Sequence, residues 1–250
     1  MKIERAVVVG AGVMGSGIAQ VLAVAGCEVT CCDVEQAQLD RAAEQTRAGR
    51  YGLDRAVERG KLTPEDAEAA AARLAFSADA DAAVAQADLV IEAVPESIKL
   101  KVELFGRWDG LAPEHSILAS NTSGLSIAAM AAATTRPEKV IGWHWSSPAQ
   151  VMAMAEIVVA PGTSEETRDA VVELARLCGK NPVVVRDNPD TWGHVGNRVY
   201  AAAIREANRI VEEGLTDQAG VDQILMDGWG WPAGPFGMTR GAREGWTSKS

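Results

Sequence analysis

Short apolar runs alternate with amphipathic stretches along the first three quarters of the chain. The apolar runs that predict buried strands are residues 6–9, 28–32, 89–93, 117–120, 140–143, 156–159 and 183–185. Stretches with helical spacing lie between them, for example residues 100–108 and 164–177. This alternation predicts an α/β fold in which helices cover both faces of a doubly wound, mostly parallel sheet.

The pattern changes in two places. After residue 33, a long polar and alanine-rich helix is predicted to run to about Arg59, and Thr63-Pro64 then starts another helix. Asn188-Pro189-Asp190 ends the alternation, and residues 193–213 and 216–226 have helical spacing. We therefore predict a sheet domain over residues 1–187 and a smaller all-helical domain over residues 188–250.

A glycine-rich turn follows the first predicted strand directly. It reads Gly10-Ala11-Gly12-Val13-Met14-Gly15 and leads into a helix of small residues. Gly10 permits the tight turn, Gly12 lets the backbone approach a pyrophosphate, and Gly15 lets the helix pack close to the strand. The helix N-terminus, with Val13 and Met14, presents N–H groups to phosphate. The arrangement predicts a Rossmann-type dinucleotide-binding domain.

Asp33 closes the second predicted strand. At that position a carboxylate accepts hydrogen bonds from an adenosine ribose and repels a 2′-phosphate, so NAD is favoured over NADP. The alternative is a flavodoxin-like or other doubly wound domain whose tight turn binds no cofactor.

Composition narrows the possible partners and location. The net charge of −10 argues against nucleic acid, which needs a basic face. No apolar run approaches the ~18 residues that span a bilayer, and the N-terminus lacks a signal-peptide pattern. The four cysteines, Cys27, Cys31, Cys32 and Cys178, have no metal-ligand spacing. They are typical of reduced thiols, and we expect a cytoplasmic protein without a metal.

A histidine and a glutamate lie twelve residues apart in consecutive predicted strands. His144 lies at a strand end, where α/β sheets face their ligand crevice, and Glu156 lies among apolar residues. A carboxylate buried there needs a partner. A His–Glu pair would fix the imidazole tautomer and suit proton transfer to and from a hydroxyl. Taken alone, a strand-end histidine is more often a packed, hydrogen-bonded residue.

Five stretches together resemble the NAD-dependent L-3-hydroxyacyl-CoA dehydrogenase family. Their order and spacing agree with the family over residues 7–236. The stretches are residues 9–20, DLVIEAVPESIKLK at 88–101, ASNTS at 119–123, His144…Pro148…Glu156, and Gly196-Asn197-Arg198.

The resemblance implies an NAD-dependent dehydrogenase of an acyl-CoA substrate. It implies that His144 is the general acid/base and that Glu156 orients it. Ser123 and Asn197 match residues that hold the reacting oxygen and the nicotinamide.

The resemblance also implies further residues beside the cofactor. These are Glu96 and Lys101, with Ser147 where the family has a cofactor-contacting asparagine. Less specific interpretations remain open: Glu96 and Lys101 as a solvated surface pair, residues 121–124 as a turn and helix cap, and Asn197 on the polar face of a helix.

The chain departs from the family in several motifs. The catalytic strand end reads His144-Trp145-Ser146-Ser147-Pro148 instead of His-Phe-Phe-Asn-Pro, and Trp192-Gly193-His194 replaces Pro-Gly-Phe. Tryptophans near these motifs form either an aromatic-walled pocket or ordinary core: Trp143, Trp145, Trp192, Trp229 and Trp231.

The family normally continues for a few dozen residues beyond the position of Ser250, so we expect a shortened C-terminal domain. Apolar residues at helical spacing in residues 193–226 then predict a homodimer, with a compact monomer as the alternative. Cations available for CoA phosphates lie in the predicted long helix and just beyond it, interspersed with acids: Arg47, Arg50, Arg55, Arg59 and Lys61. An ordinary solvated helix face explains them equally well.

Three functions remain at this point. The first is oxidation of an L-3-hydroxyacyl-CoA with NAD. The second is the same chemistry on a free or carrier-bound small hydroxy acid, suggested by the altered strand end. The third is a non-catalytic nucleotide-binding protein, which the joint presence of His144, Glu156, Ser123 and Asn197 argues against.

Overall fold

The computed structural model describes residues 2–244 and the side chains up to residue 241. The chain divides after His194 into two compact units, the second starting at Val195.

The first unit is built on one eight-stranded sheet in the order β3-β2-β1-β4-β5-β6-β7-β8. Its strands are β1 (Arg5–Val9), β2 (Glu28–Cys32), β3 (Leu74–Ser77), β4 (Leu89–Glu92), β5 (Ile117–Ser120), β6 (Val140–Trp145), β7 (Met154–Val159) and β8 (Asn181–Arg186). Every neighbouring pair is parallel except β6 and β7, which are antiparallel. The predicted α/β class with a mostly parallel sheet is confirmed, whereas β3 was not predicted.

Eight α-helices accompany the sheet in the described part of this unit. They are α1 (Val13–Val24), α2 (Gln36–Ala48), α3 (Leu53–Glu58), α4 (Pro64–Ala72), α5 (Ala80–Val84), α6 (Ile98–Asp109), α7 (Ile127–Ala131) and α8 (Glu165–Leu177). The predicted cap of α4 is present, because Thr63 accepts a hydrogen bond from the Asp66 N–H. The N-termini of α5, α6, α7 and α8 are capped in the same way, by Asp79, Ser97, Ser126 and Ser164.

The prediction of one long helix from residue 33 to Arg59 is wrong. Helix α2 ends at Ala48, and α3 begins at Leu53 after a tight turn. Gly49 and Gly52 both have extended backbone, and a Cβ on Gly52 would lie 2.6 Å from the Arg47 carbonyl oxygen. Glycine therefore permits the close approach that ends the first helix.

The two faces of the sheet bury separate apolar clusters. Val8 faces the cluster that contains Ile18 of α1, whereas Val7 faces the cluster that contains Phe105 and Trp108 of α6. Adjacent residues of one strand thus reach opposite layers, as the period of a strand requires. The result is a three-layer helix–sheet–helix unit.

The second unit is helical. Its helices are α9 (Val195–Glu212), α10 (Gln218–Trp229) and α11 (Pro235–Glu244), of which α11 was not predicted. Ala207, Val221 and Phe236 form its small buried core. The buried Asp222 carboxylate accepts the N–H groups of Phe236 and Gly237 at 2.9 and 2.8 Å, and so caps α11.

Within residues 2–244, no helix combines the length and apolarity that crossing a bilayer requires.

Candidate active site

The glycine turn after β1 is shaped by close backbone approach. Gly10 has φ +103°, and a Cβ there would lie 2.5 Å from the Ala93 carbonyl oxygen. A Cβ on Gly15 would lie 1.7 Å from the Gly10 carbonyl oxygen, so α1 packs directly on the turn. Both positions therefore require glycine.

Gly12, the remaining glycine of the turn, has open space around it. Nothing lies within 4 Å of a Cβ built on Gly12, the N-cap of α1, and no side chain caps the helix there. Val13 in the first turn is 78% exposed, and Met14 is half-buried. The open helix N-terminus fits a pyrophosphate held by backbone N–H groups.

Asp33 lies directly beyond β2, beside this turn. Its Oδ2 accepts the Ala11 N–H at 2.8 Å, and its Oδ1 accepts the Glu35 N–H at 3.1 Å. The half-buried carboxylate thus ties the end of β2 to the glycine turn. This position fits a dinucleotide ribose next to the pyrophosphate site.

A buried ion cluster lies beyond the carboxyl end of β4. Lys101, only 1% exposed, places Nζ 2.6 Å from Glu92 Oε1 and 3.1 Å from Glu96 Oε2. Glu92 is fully buried and also accepts the Ser120 hydroxyl at 2.6 Å and the Val94 N–H at 2.7 Å. Burial raises the pKa of Glu92, although Lys101 opposes the shift. Because Lys101 is buried, Glu96 and Lys101 do not form a solvated surface pair.

Glu96 links this cluster to the loop after β5. Its Oε1 accepts the Thr122 hydroxyl at 2.5 Å and the Ser123 N–H at 2.9 Å. Burial alone would raise the pKa of Glu96, but the Thr122 hydrogen bond and the Lys101 charge outweigh burial and lower the pKa. A chain of charged contacts thus runs from Glu92 to the backbone of Ser123.

His144 and Glu156 are brought together by the antiparallel pairing of β6 and β7. They are direct partners in the register, and His144 Nδ1 lies 2.7 Å from Glu156 Oε2. His144 is 8% exposed and Glu156 is 5% exposed. A carboxylate on Nδ1 leaves Nε2 as the nitrogen that can exchange a proton with a ligand.

The loops around His144 hold its strand end in place. The Trp145 N–H donates to Asn121 Oδ1 at 2.9 Å, which ties β6 to the loop after β5. Ser123 in that loop is half-buried, and Ser147 is exposed two residues beyond β6. The sheet therefore gathers the glycine turn, Asp33, Glu96, Lys101, Ser123, His144 and Ser147 at or beyond its carboxyl end.

Asn197 lies elsewhere in the chain, in the first turn of α9 of the second unit. Asn197, Ser123 and Glu156 each take part in at least one non-covalent contact.

Trp143 and Trp145 flank His144 and belong to the core. They are 0% and 2% exposed, with ring centroids 4.7 Å apart. Lys180 Nζ lies 5.3 Å from the Trp145 ring and donates to the carbonyl oxygens of Ala149 and Met152 at 2.6 and 2.9 Å. These two tryptophans pack as core residues. The two hydrogen bonds from Lys180 hold the loop after β6 beside them.

A cavity of about 190 Å³ lies beside α1, α3 and this loop. Tyr51, Arg59, Lys61, Gln150 and Lys180 are among its lining residues. Two of the other candidate cations are engaged in ion pairs, Arg47 with Asp54 and Glu68, and Arg55 with Glu58. Of the five candidate cations, Arg59 and Lys61 are the ones that line this cavity.

Sequence reasoning missed Glu92, Ser120 and the contact of His194 with His144. The His194 ring centroid lies 5.6 Å from that of His144. One signal was available for Glu92, because it is a carboxylate inside an apolar run. None identified its lysine partner nine residues later.

The comparisons with known proteins agree with this geometry. Residues 5–188 match the model of the NAD binding domain of 3-hydroxyacyl-CoA dehydrogenase, and residues 193–244 match the model of its C-terminal domain. The fold and the site define an NAD-dependent oxidoreductase.

Individual relatives place the chain more closely. It is 40% identical over 242 residues to a probable 3-hydroxybutyryl-CoA dehydrogenase of Bacillus subtilis, covering 95% of this chain and 80% of that protein. It is 36% identical to the human mitochondrial hydroxyacyl-coenzyme A dehydrogenase, covering 94% and 74%. The crystal structure of (S)-3-hydroxybutyryl-CoA dehydrogenase from Ralstonia eutropha superposes with a TM-score of 0.87 at 38% identity, covering 94% and 80%. This chain belongs to the 3-hydroxyacyl-CoA dehydrogenase family.

Proposed function

We propose that the protein oxidises the 3-hydroxyl group of an acyl-CoA to the 3-keto group, and catalyses the reverse reduction. The observation that carries the proposal is the buried His144–Glu156 pair at the carboxyl end of the sheet, with 2.7 Å between Nδ1 and Oε2. A pair of this kind is suited to move a hydroxyl proton.

His144 takes the hydroxyl proton on Nε2 during oxidation and returns it during reduction. Glu156 accepts the hydrogen bond from Nδ1–H, holds the imidazole in one orientation, and stabilises the imidazolium once Nε2 is protonated. Following the resemblance, Ser123 and Asn197 hold the reacting oxygen and the nicotinamide. NAD, when bound, accepts the hydride from carbon 3.

The cofactor-binding residues lie along the carboxyl end of the sheet. The phosphates lie on the turn and first helical residues, Gly10, Gly12, Val13, Met14 and Gly15, and Asp33 binds the ribose. Near the nicotinamide we place Glu96, Lys101, Ser123 and Ser147. Support comes from the open space at Gly12 and from the Glu96–Ser123 hydrogen bond.

The CoA portion is proposed to use the cavity beside α3. Arg59 and Lys61 offer positive charge to phosphates there, and Tyr51 offers a ring face. The loop that carries Gln150 joins this cavity to β6, because Gln150 lies five residues beyond Trp145, the last residue of that strand. The two cations that line the cavity therefore support a CoA thioester, rather than a free acid, as the substrate.

The test measures NADH oxidation with a panel of 3-ketoacyl-CoAs and the matching free 3-keto acids. We expect turnover of the CoA thioesters, and kcat/KM at least about tenfold lower for the free acids, as the loss of one charge-assisted contact implies. Arg59→Ala should raise KM for the thioester and leave the free acid unaffected. Preference for the free acid would instead favour the small hydroxy acid dehydrogenase, and absence of turnover with either would contradict the proposal.

We further propose a homodimer in the cytoplasm. Val199, Ile224 and Trp229 of the helical unit are 65%, 61% and 77% exposed, an apolar surface of the kind that marks partner contacts. All four cysteines are free and buried, which suits a reducing compartment. Light scattering at micromolar concentration tests the dimer, and a monomer mass would contradict it. Cell fractionation tests the location.

A further inference from the structure

His194 is a second histidine beside the catalytic one, and the proposed reaction does not use it. It is 7% exposed, and its ring lies 5.6 Å from that of His144, centroid to centroid, at an angle of 57°. It occupies the position where the family motif described above has phenylalanine. The charged or polar neighbours that influence it are His144, Glu156 and Asp187.

The backbone around His194 is held by an unusually close approach of two segments. A Cβ on Gly124 would lie 2.1 Å from the Gly193 nitrogen, so only glycine fits at residue 124. Gly193 N–H donates to the Gly124 carbonyl, and His194 N–H donates to the Ser123 carbonyl, both at 3.3 Å. His194 is thereby attached to the loop that carries Ser123.

The hydrogen bonds of the His194 ring define its tautomer. Nε2 is buried and has no hydrogen-bond partner among the described residues. The Thr122 backbone carbonyl interacts with the ring, so we assign the ring proton to Nδ1. Burial, and the nearby His144, lower the pKa of His194. At neutral pH the ring is uncharged, and Nε2 carries a lone pair that can only accept.

A buried acceptor without a donor is unfavourable, so a polar group that supplies the missing proton gains from binding there. The 3-hydroxyl of the substrate cannot do so, because its single proton goes to His144. A donor on the acyl group close to the reacting carbon would lie beside both histidines, because the two ring centroids are 5.6 Å apart.

We propose that His194 is a specificity-determining residue whose Nε2 accepts a hydrogen bond from a hydroxyl or similar uncharged donor on the carbon next to the reacting carbon. This inference rests on the proposed function. It assigns the protein a polar substrate class, 3-hydroxyacyl-CoAs with a second hydroxyl, rather than simple alkyl chains. A carboxylate at the same place has no proton to give and would require an imidazolium at His194 beside His144.

The experiment compares two substrates of nearly the same shape. These are 3,4-dihydroxybutyryl-CoA and 3-hydroxypentanoyl-CoA, in which a methyl replaces the 4-hydroxyl. We expect the wild-type protein to favour the dihydroxy compound by about tenfold to a hundredfold in kcat/KM, the range that one buried hydrogen bond gives. His194→Phe should abolish that ratio, and His194→Gln, which retains an acceptor, should keep part of it.

His115→Gln is the matched control, because it removes the chain's third histidine at the other end of the sheet and should leave the ratio intact. A wild-type protein that does not distinguish the two compounds, or a His194→Phe variant that still does, overturns the inference, as does preference for a carboxylate on the same carbon. Failure of the proposed function is recognised separately, as absence of turnover with both substrates.

Discussion

Two histidine–carboxylate pairs lie at opposite ends of the same sheet. His144 and Glu156 meet at its carboxyl end with 2.7 Å between nitrogen and oxygen, and His115 and Asp88 meet at its amino end with 2.9 Å. The pairs are almost equal in distance and differ in surroundings. The His115 side chain is 49% exposed, whereas that of His144 is 10% exposed.

Asp88, the carboxylate of the second pair, also binds backbone N–H groups. Asp88 Oδ2 accepts the N–H groups of Glu4 and Arg5 at 2.9 and 2.8 Å, so it fastens the start of β1 to the start of β4. His115 makes one more hydrogen bond with Asp88. A short histidine–carboxylate distance therefore does not identify a catalytic pair. Burial, and position at the carboxyl end of the parallel strands, distinguish the His144–Glu156 pair, for which we propose the catalytic role.

Replacing His144 with alanine should break the comparison most strongly. We expect kcat to fall by at least about 10²-fold, the usual contribution of a positioned acid/base, with NADH affinity retained. The measurement is steady-state turnover with a 3-ketoacyl-CoA, alongside fluorescence titration of NADH. His115→Ala should keep kcat within about twofold, and equal losses in the two variants would refute the distinction.

Glu156→Gln should have the next largest effect. The amide keeps the shape of the side chain but loses the charge that stabilises the imidazolium. We expect kcat to fall by roughly tenfold to a hundredfold, the value of a hydrogen bond to a charged group. Asp88→Asn supplies the matched change in the other pair. If Asp88→Asn lowers kcat as much as Glu156→Gln does, the position of Glu156 in the proposed active site does not explain its effect on kcat.

Asp33→Ala extends the comparison to a carboxylate placed to bind a ligand. We expect NAD affinity to fall, and the NAD-over-NADP preference to shrink by about tenfold, because the repulsion of a 2′-phosphate is removed. The variant also loses the Ala11 N–H contact, so Asp33→Asn is the control that keeps an acceptor there. The idea fails if the unmodified protein uses NADP as well as NAD.

The smallest expected effect concerns stability and pH. Burial alone would raise the pKa of Asp88, but the hydrogen bonds from His115 and from the N–H groups of Arg5 and Glu4 outweigh burial and lower the pKa. A depressed pKa in the folded state contributes stability above the unfolded value of about 3.9, and this stability is lost as the pH falls through the folded value.

Asp88→Asn should therefore reduce the free energy of unfolding by about 1–2 kcal/mol at neutral pH, with the difference narrowing below about pH 4. Urea unfolding at several pH values measures it. A difference that stays constant down to pH 2 would show that charge is not involved.

The sequence predicted the sheet class, the glycine turn and the meeting of His144 with Glu156. These depend on local patterns or on neighbouring strands, where alternation of apolar residues and turn chemistry are informative. The break between α2 and α3 was missed because it depends on backbone contacts of Gly49 and Gly52 that composition does not reveal. The Glu92–Ser120 contact was missed because it requires the register between β4 and β5, which a single sequence does not determine.

The buried contact between Glu92 and Lys101 has a consequence for how sequences of this fold can change. Removing Lys101 leaves the fully buried Glu92 carboxylate without its cation, which costs about 3–5 kcal/mol, a large part of the stability of a typical domain. Removing Glu92 leaves the buried Lys101 with Glu96 alone. A joint exchange of both for well-packed apolar residues escapes that loss. Mutational drift at the two positions is therefore expected to proceed in pairs, and a library randomised at only one of them should return almost exclusively the original residue.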